Sequence, residues 1–442
     1  MLRVLRKIWR NEKVFALSIL RRSFLTEEYK CSDSWNTAKS SSITEKINLN
    51  DFYNQLDQMY TSKGTISAID IDIFANAIKD PIHLEELKDL LHKLRLSADT
   101  GNTLESTSHA TVRNFVEFGY VEELIDILKD PLNFGVFLDY YSANMLLNEL
   151  LNKGSYELAA DVAGLVMLQE DFSNKITCTL CQYACYKYIV EYKPPEPAPA
   201  EEKTKKVEEI KIRVKYLRNP YFDDHFDIKD RYNLSGKTLA WISEKSNDNL
   251  CNNLELVGWL AYKKFEKVLQ LCEELTKSSS FKVFGEIIEI FNKAKEQSAE
   301  TDTINVIDKC LTLLNKMAKV PTDTTLENSI KNAIENAINQ FHRTDMSTQK
   351  QLFQSWVKIR EEKLEQQTKR LDRARRMQIL QEKQKKMQQE EQQLWFFENE
   401  DKIDLQIEEK EKLAKTPVTN KKTSVSTSNE NYVPPEILPK RR

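Results

Sequence analysis

The chain has 442 residues, with 65 lysine and arginine residues against 68 acidic residues, a formal net charge of −3, and only nine glycines. Hydrophobic residues make up 40% of the sequence and charged residues 30%. This composition allows a buried core and favours solvated helices, because strand-like alternation is nearly absent. It excludes a globally basic nucleic-acid-binding protein, and we predict an all-α fold.

The first 26 residues differ in charge from the rest of the chain. They hold seven lysine or arginine residues and a single acidic residue, Glu12. Without them the net charge falls to about −9. An arginine-rich, acid-poor segment is typical of a mitochondrial transit peptide, and we predict one here with processing near Phe24. A retained basic helix is the alternative. The apolar run VFALSIL is too short to span a bilayer, so no membrane contact is expected.

Two segments in the first half of the chain repeat with an offset of 35 residues. VRNFVEFGYVEELIDIL (112–128) aligns with LNELLNKGSYELAADVA (147–163), which places Gly119 on Gly154. Each segment predicts a helix, a turn and a second helix, with glycine at the left-handed position that ends the first helix. A looser copy covers 74–94, where Glu85 precedes Glu122 by 37 residues, and a degenerate copy follows Ile176. Helical hairpins at this period predict an α-solenoid.

The repeat NMLLNELLNKGSYELA resembles the pentatricopeptide consensus of 35 residues. The fold expected from it is therefore an all-α solenoid of degenerate pentatricopeptide-like hairpins, followed by a long C-terminal helix. Pentatricopeptide repeats read one base with two side chains. In this register those places belong to His109 with Asp139 and to Asn144 with Asn174. Two repeats would read two bases, so RNA shape, phosphates or proteins are more plausible ligands than a specific sequence.

The cysteines and histidines do not indicate catalysis. Seven cysteines, an odd number, fit a reducing compartment better than a disulfide framework. The sequence CTLCQYAC could begin a metal site, but the register places Cys181 and Cys185 on the core positions of Leu146 and Leu150. The five histidines are scattered and no catalytic motif is present. We therefore expect no enzyme, catalytic residue, metal, cofactor or small-molecule substrate.

The C-terminal region lacks glycine and proline from 347 to 415 and predicts one long charged helix there, either continuous or broken near Trp395, Phe396 and Phe397. A heptad seam begins at Leu352, Trp356 and Ile359 but is not sustained, so a coiled coil would be partial. Some of its basic residues fall near one helical face and are candidates for phosphate contact: Lys369, Arg373, Arg376 and Lys383. The alternative is a solvated helix with internal Glu–Lys pairs.

These patterns divide the chain into seven segments. The predicted boundaries are 1–26 for the transit peptide, 27–62 for an N-terminal segment, 63–192 for the first helical repeats, 193–206 for a Pro/Glu/Lys-rich linker, 207–342 for a second helical region, 347–415 for the long helix and 416–442 for a disordered tail.

The whole arrangement resembles the mitochondrial ribosomal small-subunit protein twenty-seven family. The resemblance is carried by SDSWNTAK, NFGVFLDYYSANMLLN and RNPYFDDHFDIKD, together with the leader, the repeats and the charged helix. It implies a non-enzymatic component of the small mitoribosomal subunit in the matrix, in contact with small-subunit rRNA and other mitoribosomal proteins. Two alternatives remain: a pentatricopeptide-type RNA-binding factor acting on transcript stability or translation outside the ribosome, and a helical adaptor for proteins only.

Overall fold

The computed structural model describes residues 23–41, 43–193, 228–277, 281–297, 301–321, 324–395 and 399–415. Most of the predicted leader, nearly all of the 193–206 linker and the whole 416–442 tail lie outside these residues. Within them the fold is all-α, as predicted. Strands are limited to Lys282–Val283 (β1) and Ala318–Lys319 (β2), which pair in parallel. The chain divides into two units, Met1–Leu364 and Glu365–Arg442.

The first helices build an N-terminal segment and successive hairpins. In chain order they are α1 Ser32–Lys39, α2 Leu49–Lys63, α3 Ala68–Ala77, α4 Leu84–Leu96, α5 Glu105–Glu117, α6 Val121–Lys129, α7 Pro131–Phe134, α8 Tyr140–Lys153, α9 Tyr156–Leu168 and α10 Lys175–Glu191. Short 3₁₀ turns precede or link some of them at Glu27–Lys30, Thr44–Lys46, Pro81–His83 and Ala98–Asn102.

The remaining helices continue the same architecture. They are α11 Arg231–Glu244, α12 Asn249–Ala261, α13 Phe265–Lys277, α14 Gly285–Gln297, α15 Thr301–Lys316, α16 Leu326–Leu394 and α17 Glu400–Lys415. The long helix α16 begins well before the predicted start at residue 347. The polar stretch HRTDM at 342–346 contains neither glycine nor proline, so nothing in the backbone interrupts the helix there.

The repeated glycines end the first helix of their hairpins. Gly154 has φ +72° and donates its N–H to the Leu151 carbonyl, while Ser155 donates to the Leu150 carbonyl. These two bonds satisfy carbonyls that the helix end would otherwise leave without partners. The same pair of bonds recurs at Lys263 and Lys264, although Lys263 carries a side chain at φ +62°. The apolar pattern predicts that 254–275 and 281–296 pair as the two helices of one hairpin. That pairing is wrong, because the turn at Lys263 divides 254–275 into a hairpin of its own, α12–α13.

One continuous hydrophobic core extends from Leu25 to Trp356. In the hairpin of α8 and α9 the first helix is the more deeply buried element, since ten of the fourteen residues of α8 are buried against seven of the thirteen of α9. Cys181 and Cys185 are fully buried in this core, as the repeat register predicts. Burial raises the pKa of both thiols, which therefore stay protonated and pack as small apolar groups.

Helices α11 and α12 cross at a pair of glycines. A Cβ atom added at Gly258 would lie 2.5 Å from the Ala240 backbone nitrogen and 2.7 Å from the Gly236 carbonyl oxygen. A Cβ at Gly236 would lie 2.7 Å from the Tyr262 nitrogen. Rigid backbone atoms cannot move aside as a flexible side chain can, so the crossing requires glycine on both helices.

We predict that Gly258→Ala destabilises the protein by about 1–3 kcal/mol, because the added methyl group forces the two helices apart. The matched control is Gly285→Ala, where a Cβ meets no atom within 4 Å. It should change the free energy of unfolding by less than about 0.5 kcal/mol. Chemical denaturation followed by circular dichroism measures both. Equal effects of the two substitutions would contradict the close crossing.

Candidate RNA-contact surfaces

The four basic residues predicted to contact phosphates lie exposed on the Glu365–Leu394 part of α16. Lys369, Arg373, Arg376 and Lys383 are all solvent-exposed, and their spacings of four, three and seven residues place them on one side of the helix. Lys369 lies 2.6 Å from the Glu365 carboxylate and lowers its pKa. An exposed ion pair of this kind is weak and does not prevent Lys369 from binding a phosphate.

Charge is segregated along this part of the chain. Residues 365–386 hold eight lysine or arginine residues and three acidic residues, whereas residues 387–415 hold nine acidic residues and four lysines. The first stretch therefore attracts a polyanion and the second repels one. Helix α17, in the acidic stretch, also exposes the apolar side chains of Leu405, Ile407 and Leu413. The basic stretch also exposes apolar side chains, those of Leu371, Met377 and Leu380, so the two stretches differ in charge and not in apolar exposure.

His109 and Asn144, the two predicted base-reading residues, are buried at 2% and 0% exposure. Their predicted partners, Asp139 and Asn174, have a local structural role. Asp139 accepts the N–H of Ser142 at the start of α8, and Asn174 accepts the N–H of Thr177 at the start of α10. Aspartate and asparagine are favoured at this position because they satisfy a free backbone donor.

The His109 ring is enclosed by aromatic side chains. Its centroid lies 5.1 Å from that of Trp356, and 5.4 Å from those of Phe353 and Trp35. Its Nδ1 lies 2.9 Å from Asp139 Oδ2. Burial opposes ionisation of Asp139, but His109 and Ser142 outweigh it and hold the pKa of this carboxyl below its usual value. Contact between His109 and RNA would therefore require this cluster to open.

Asn144, like His109, is linked to α16, in this case through a chain of hydrogen bonds. Its Nδ2 donates to the Tyr29 hydroxyl at 3.0 Å, and that hydroxyl donates to Asp345 Oδ2 at 3.2 Å. Asn174 donates to the same Asp345 oxygen at 3.0 Å. The Tyr29 ring stacks on Tyr141 at 4.9 Å between centroids. Asn144 therefore contacts the protein's own N-terminal segment, and Asn174 contacts α16.

A buried ion pair that the sequence analysis missed lies at the first hairpin. Arg360 Nε is 2.6 Å from Asp72 Oδ2, and both side chains are almost fully buried. The other Asp72 oxygen accepts the hydroxyls of Ser106 and Thr107. The sequence signal for this pair is Asp72, which stands among apolar residues in the helix AIDIDIFANA. A carboxylate buried there must have a polar or charged partner. That partner lies 288 residues away.

The described residues show neither a metal site nor a membrane-spanning helix. Among them, no group of three or more histidine, cysteine, aspartate or glutamate residues is arranged to hold a metal ion. None of their helices combines the length and apolarity needed to cross a lipid bilayer. The exposed basic side chains on α16 remain the candidate for contact with a polyanion.

A family model described as mitochondrial 28S ribosomal protein S27 matches residues 2–394. The chain belongs to this family. The predicted resemblance is confirmed, and membership identifies a mitochondrial chain of a ribosomal rather than an enzymatic family. A curated relative, mitochondrial pentatricopeptide repeat-containing protein 2 of Xenopus laevis, is 27% identical over 230 residues. That match covers 46% of this chain and 59% of the relative, so the chain spans less than two thirds of the relative's length.

We predict that Arg360→Met lowers the free energy of unfolding by about 3–5 kcal/mol, because it leaves the Asp72 carboxylate buried without its cation. The double variant Asp72→Asn/Arg360→Met removes both charges and should recover part of that loss. Arg370→Met, at an exposed position of the same helix, should change stability by less than about 0.5 kcal/mol. A double-mutant cycle by urea unfolding measures the coupling. The cycle also includes Asp72→Asn alone. If the loss of stability in the double variant equals the sum of the losses in the two single variants, the pairing is contradicted.

Proposed function

We propose that the protein is a structural component of the small subunit of the mitochondrial ribosome, in the matrix, and that it supports mitochondrial translation without catalysing a reaction. The observation that carries this proposal is the combination of ribosomal family membership with the exposed basic surface of Lys369, Arg373, Arg376 and Lys383. Ribosomal RNA is the polyanion that a ribosomal protein contacts. The proposed partners of this protein are therefore small-subunit rRNA and neighbouring mitoribosomal proteins.

The charge distribution favours a limited RNA contact and extensive protein contact. The chain is acidic overall, and within the described part of the C-terminal unit eight of the twelve basic residues lie in 365–386. A phosphate-binding helix of this kind contributes affinity without reading sequence, since phosphate contacts position a protein and base contacts specify it. The acidic stretch and the outer surfaces of the hairpins are left for proteins. This fits a scaffold at the periphery of the subunit.

A second candidate is a mitochondrial RNA-binding factor that acts on transcripts outside the ribosome. The observation that favours it is the similarity to a pentatricopeptide repeat-containing mitochondrial protein over 230 residues. It requires RNA binding by the isolated protein and no stoichiometric association with the subunit. A helical adaptor for proteins only is the third candidate, and its associations would not depend on RNA.

We predict that the protein comigrates with small-subunit rRNA when mitochondrial lysate is centrifuged through a density gradient in moderate salt. Ribonuclease digestion should release it, because RNA holds the particle together. If the protein stays at the top of the undigested gradient, or sediments with RNA away from the subunit, the ribosomal proposal is contradicted. That result would favour the RNA-binding factor that acts outside the ribosome. Associations that persist unchanged after digestion would favour the adaptor.

We predict that replacing the four exposed cations by glutamine weakens binding of a small-subunit rRNA fragment. Each phosphate contact contributes about 0.7–0.9 to the slope of log affinity against log salt, so the slope should fall by about three. The matched control variant replaces four other exposed lysines by glutamine and changes the net charge by the same amount: Lys63, Lys79, Lys277 and Lys402. Equal losses of RNA affinity in the two variants would show an effect of net charge alone, and not of this surface.

A further inference from the structure

Equivalent positions of three successive hairpins line one face of the protein. The 37-residue offset that relates Glu85 to Glu122 also relates Asp72 to His109, and the 35-residue offset relates His109 to Asn144. These three residues lie in the first helices α3, α5 and α8, and all three are buried. We name this surface the repeat face: Asp72, His109 and Asn144, with the helix caps Asp139 and Asn174.

A single segment of α16 covers the repeat face from end to end. Arg360 binds Asp72, Trp356 and Phe353 enclose His109, and Asp345 binds Asn174 directly and Asn144 through Tyr29. The fifteen helical steps from Asp345 to Arg360 span about 22 Å, which matches successive helices packed about 8–10 Å apart. We name residues 345–360 the covering segment. Its last residue, Arg360, contacts the first hairpin, and its first residue, Asp345, contacts Asn174 at the start of α10, so the segment runs antiparallel to the order of the hairpins.

The covering segment satisfies the polar groups of the repeat face incompletely. Two buried atoms of the repeat face find no hydrogen-bond partner among the described residues, His109 Nε2 and Asn144 Oδ1. The same holds for Gln349 Nε2 on the covering segment and for Trp35 Nε1 and Arg113 Nη1, whose side chains contact each other. Such atoms are uncommon in protein interiors because desolvation without a partner is unfavourable. Apolar contacts of Phe353 and Trp356 and the Arg360–Asp72 pair offset that cost. The face is therefore polar in character but is covered by protein.

We infer that the covering segment is an intramolecular plug that excludes single-stranded RNA from the repeat face. An RNA base at His109 or Asn144 would have to displace the aromatic cluster or the Tyr29–Asp345 hydrogen bonds. The carboxylate of Asp345 additionally repels phosphates at this position. RNA contact is thereby confined to the exposed basic continuation of the same helix, a consequence that rests on the proposed function. The exclusion itself depends only on the contacts of the plug.

The first experiment fixes the plug in place in the full-length chain without removing any of its contacts. Lys175 lies 5.9 Å from the Phe341 ring centroid, just before the covering segment. In a Cys178→Ser background, Lys175→Cys and Phe341→Cys are joined by a short cleavable bismaleimide, and the same protein after cleavage of the linker is the matched control. Affinity for a single-stranded uridine-rich RNA is measured for both forms. Affinities within twofold of each other are expected, because RNA does not enter the repeat face. A loss of tenfold or more on linking would overturn the inference.

The second experiment loosens the plug with Trp356→Ala and locates bound RNA by ultraviolet crosslinking and peptide mass spectrometry. In the unmodified protein, crosslinks are expected in residues 365–386 and not at His109 or Asn144. The variant should gain crosslinks at those two residues at least fivefold. Adding the same pair of introduced cysteines and their linker to the variant should abolish the gain. A variant that keeps its helical circular dichroism and gains no crosslinks would contradict the plug.

The two proposals fail in different ways in these experiments. Absence of crosslinks in 365–386 together with a gain on loosening would remove the basic surface from the proposed function and leave the plug standing. Crosslinks at His109 and Asn144 in the unmodified protein would remove the plug and leave the basic surface untouched. If Trp356→Ala does not fold, the linking experiment decides alone, because it leaves the aromatic cluster intact.

Discussion

The structure depends on one helix face that is buried across several hairpins. Gln349, Phe353, Trp356 and Arg360 follow spacings of four, three and four residues and are all buried. Phe353 and Trp356 both contact His109 on α5, and Arg360 pairs with Asp72 on α3, so one helix connects elements that lie far apart in the sequence. The Arg360–Asp72 pair fixes the register of this helix, since sliding it by one residue would leave two buried charges without partners.

The N-terminal segment contributes to the same surface. Tyr29 stacks on Tyr141. The Trp35 ring contacts the His109 ring edge-on, and the guanidinium of Arg113 lies 4.9 Å from the Trp35 ring centroid. Ser23 and Leu25 bond to Asn148 on α8. Two segments outside the repeats thus cover the polar faces of the first helices. A hairpin array normally leaves such faces open to a ligand, and here the chain itself supplies the cover.

This cover separates two roles within one helix. Up to Leu364 the helix belongs to the unit that contains the repeats, and its buried residues hold that unit together. From Glu365 onward its basic side chains are exposed and available to a polyanion. Burial and the Asp72 carboxylate make Arg360 a structural residue. Arg373 and Arg376 are exposed to water, as the proposed phosphate contact requires.

The sequence by itself determined the fold class, the family and the turns at Gly119 and Gly154, because period and backbone conformation are local properties. It also placed Cys181 and Cys185 in the core and Lys369, Arg373, Arg376 and Lys383 on one helical face. It did not predict the turn at Lys263, where no glycine marks the left-handed residue, or the start of α16 at Leu326. Only the tertiary structure decided that His109 and Asn144 are covered and that Asp72 meets Arg360. Those contacts join residues up to 288 positions apart, and no local pattern in one sequence encodes which distant surface a helix face will bury.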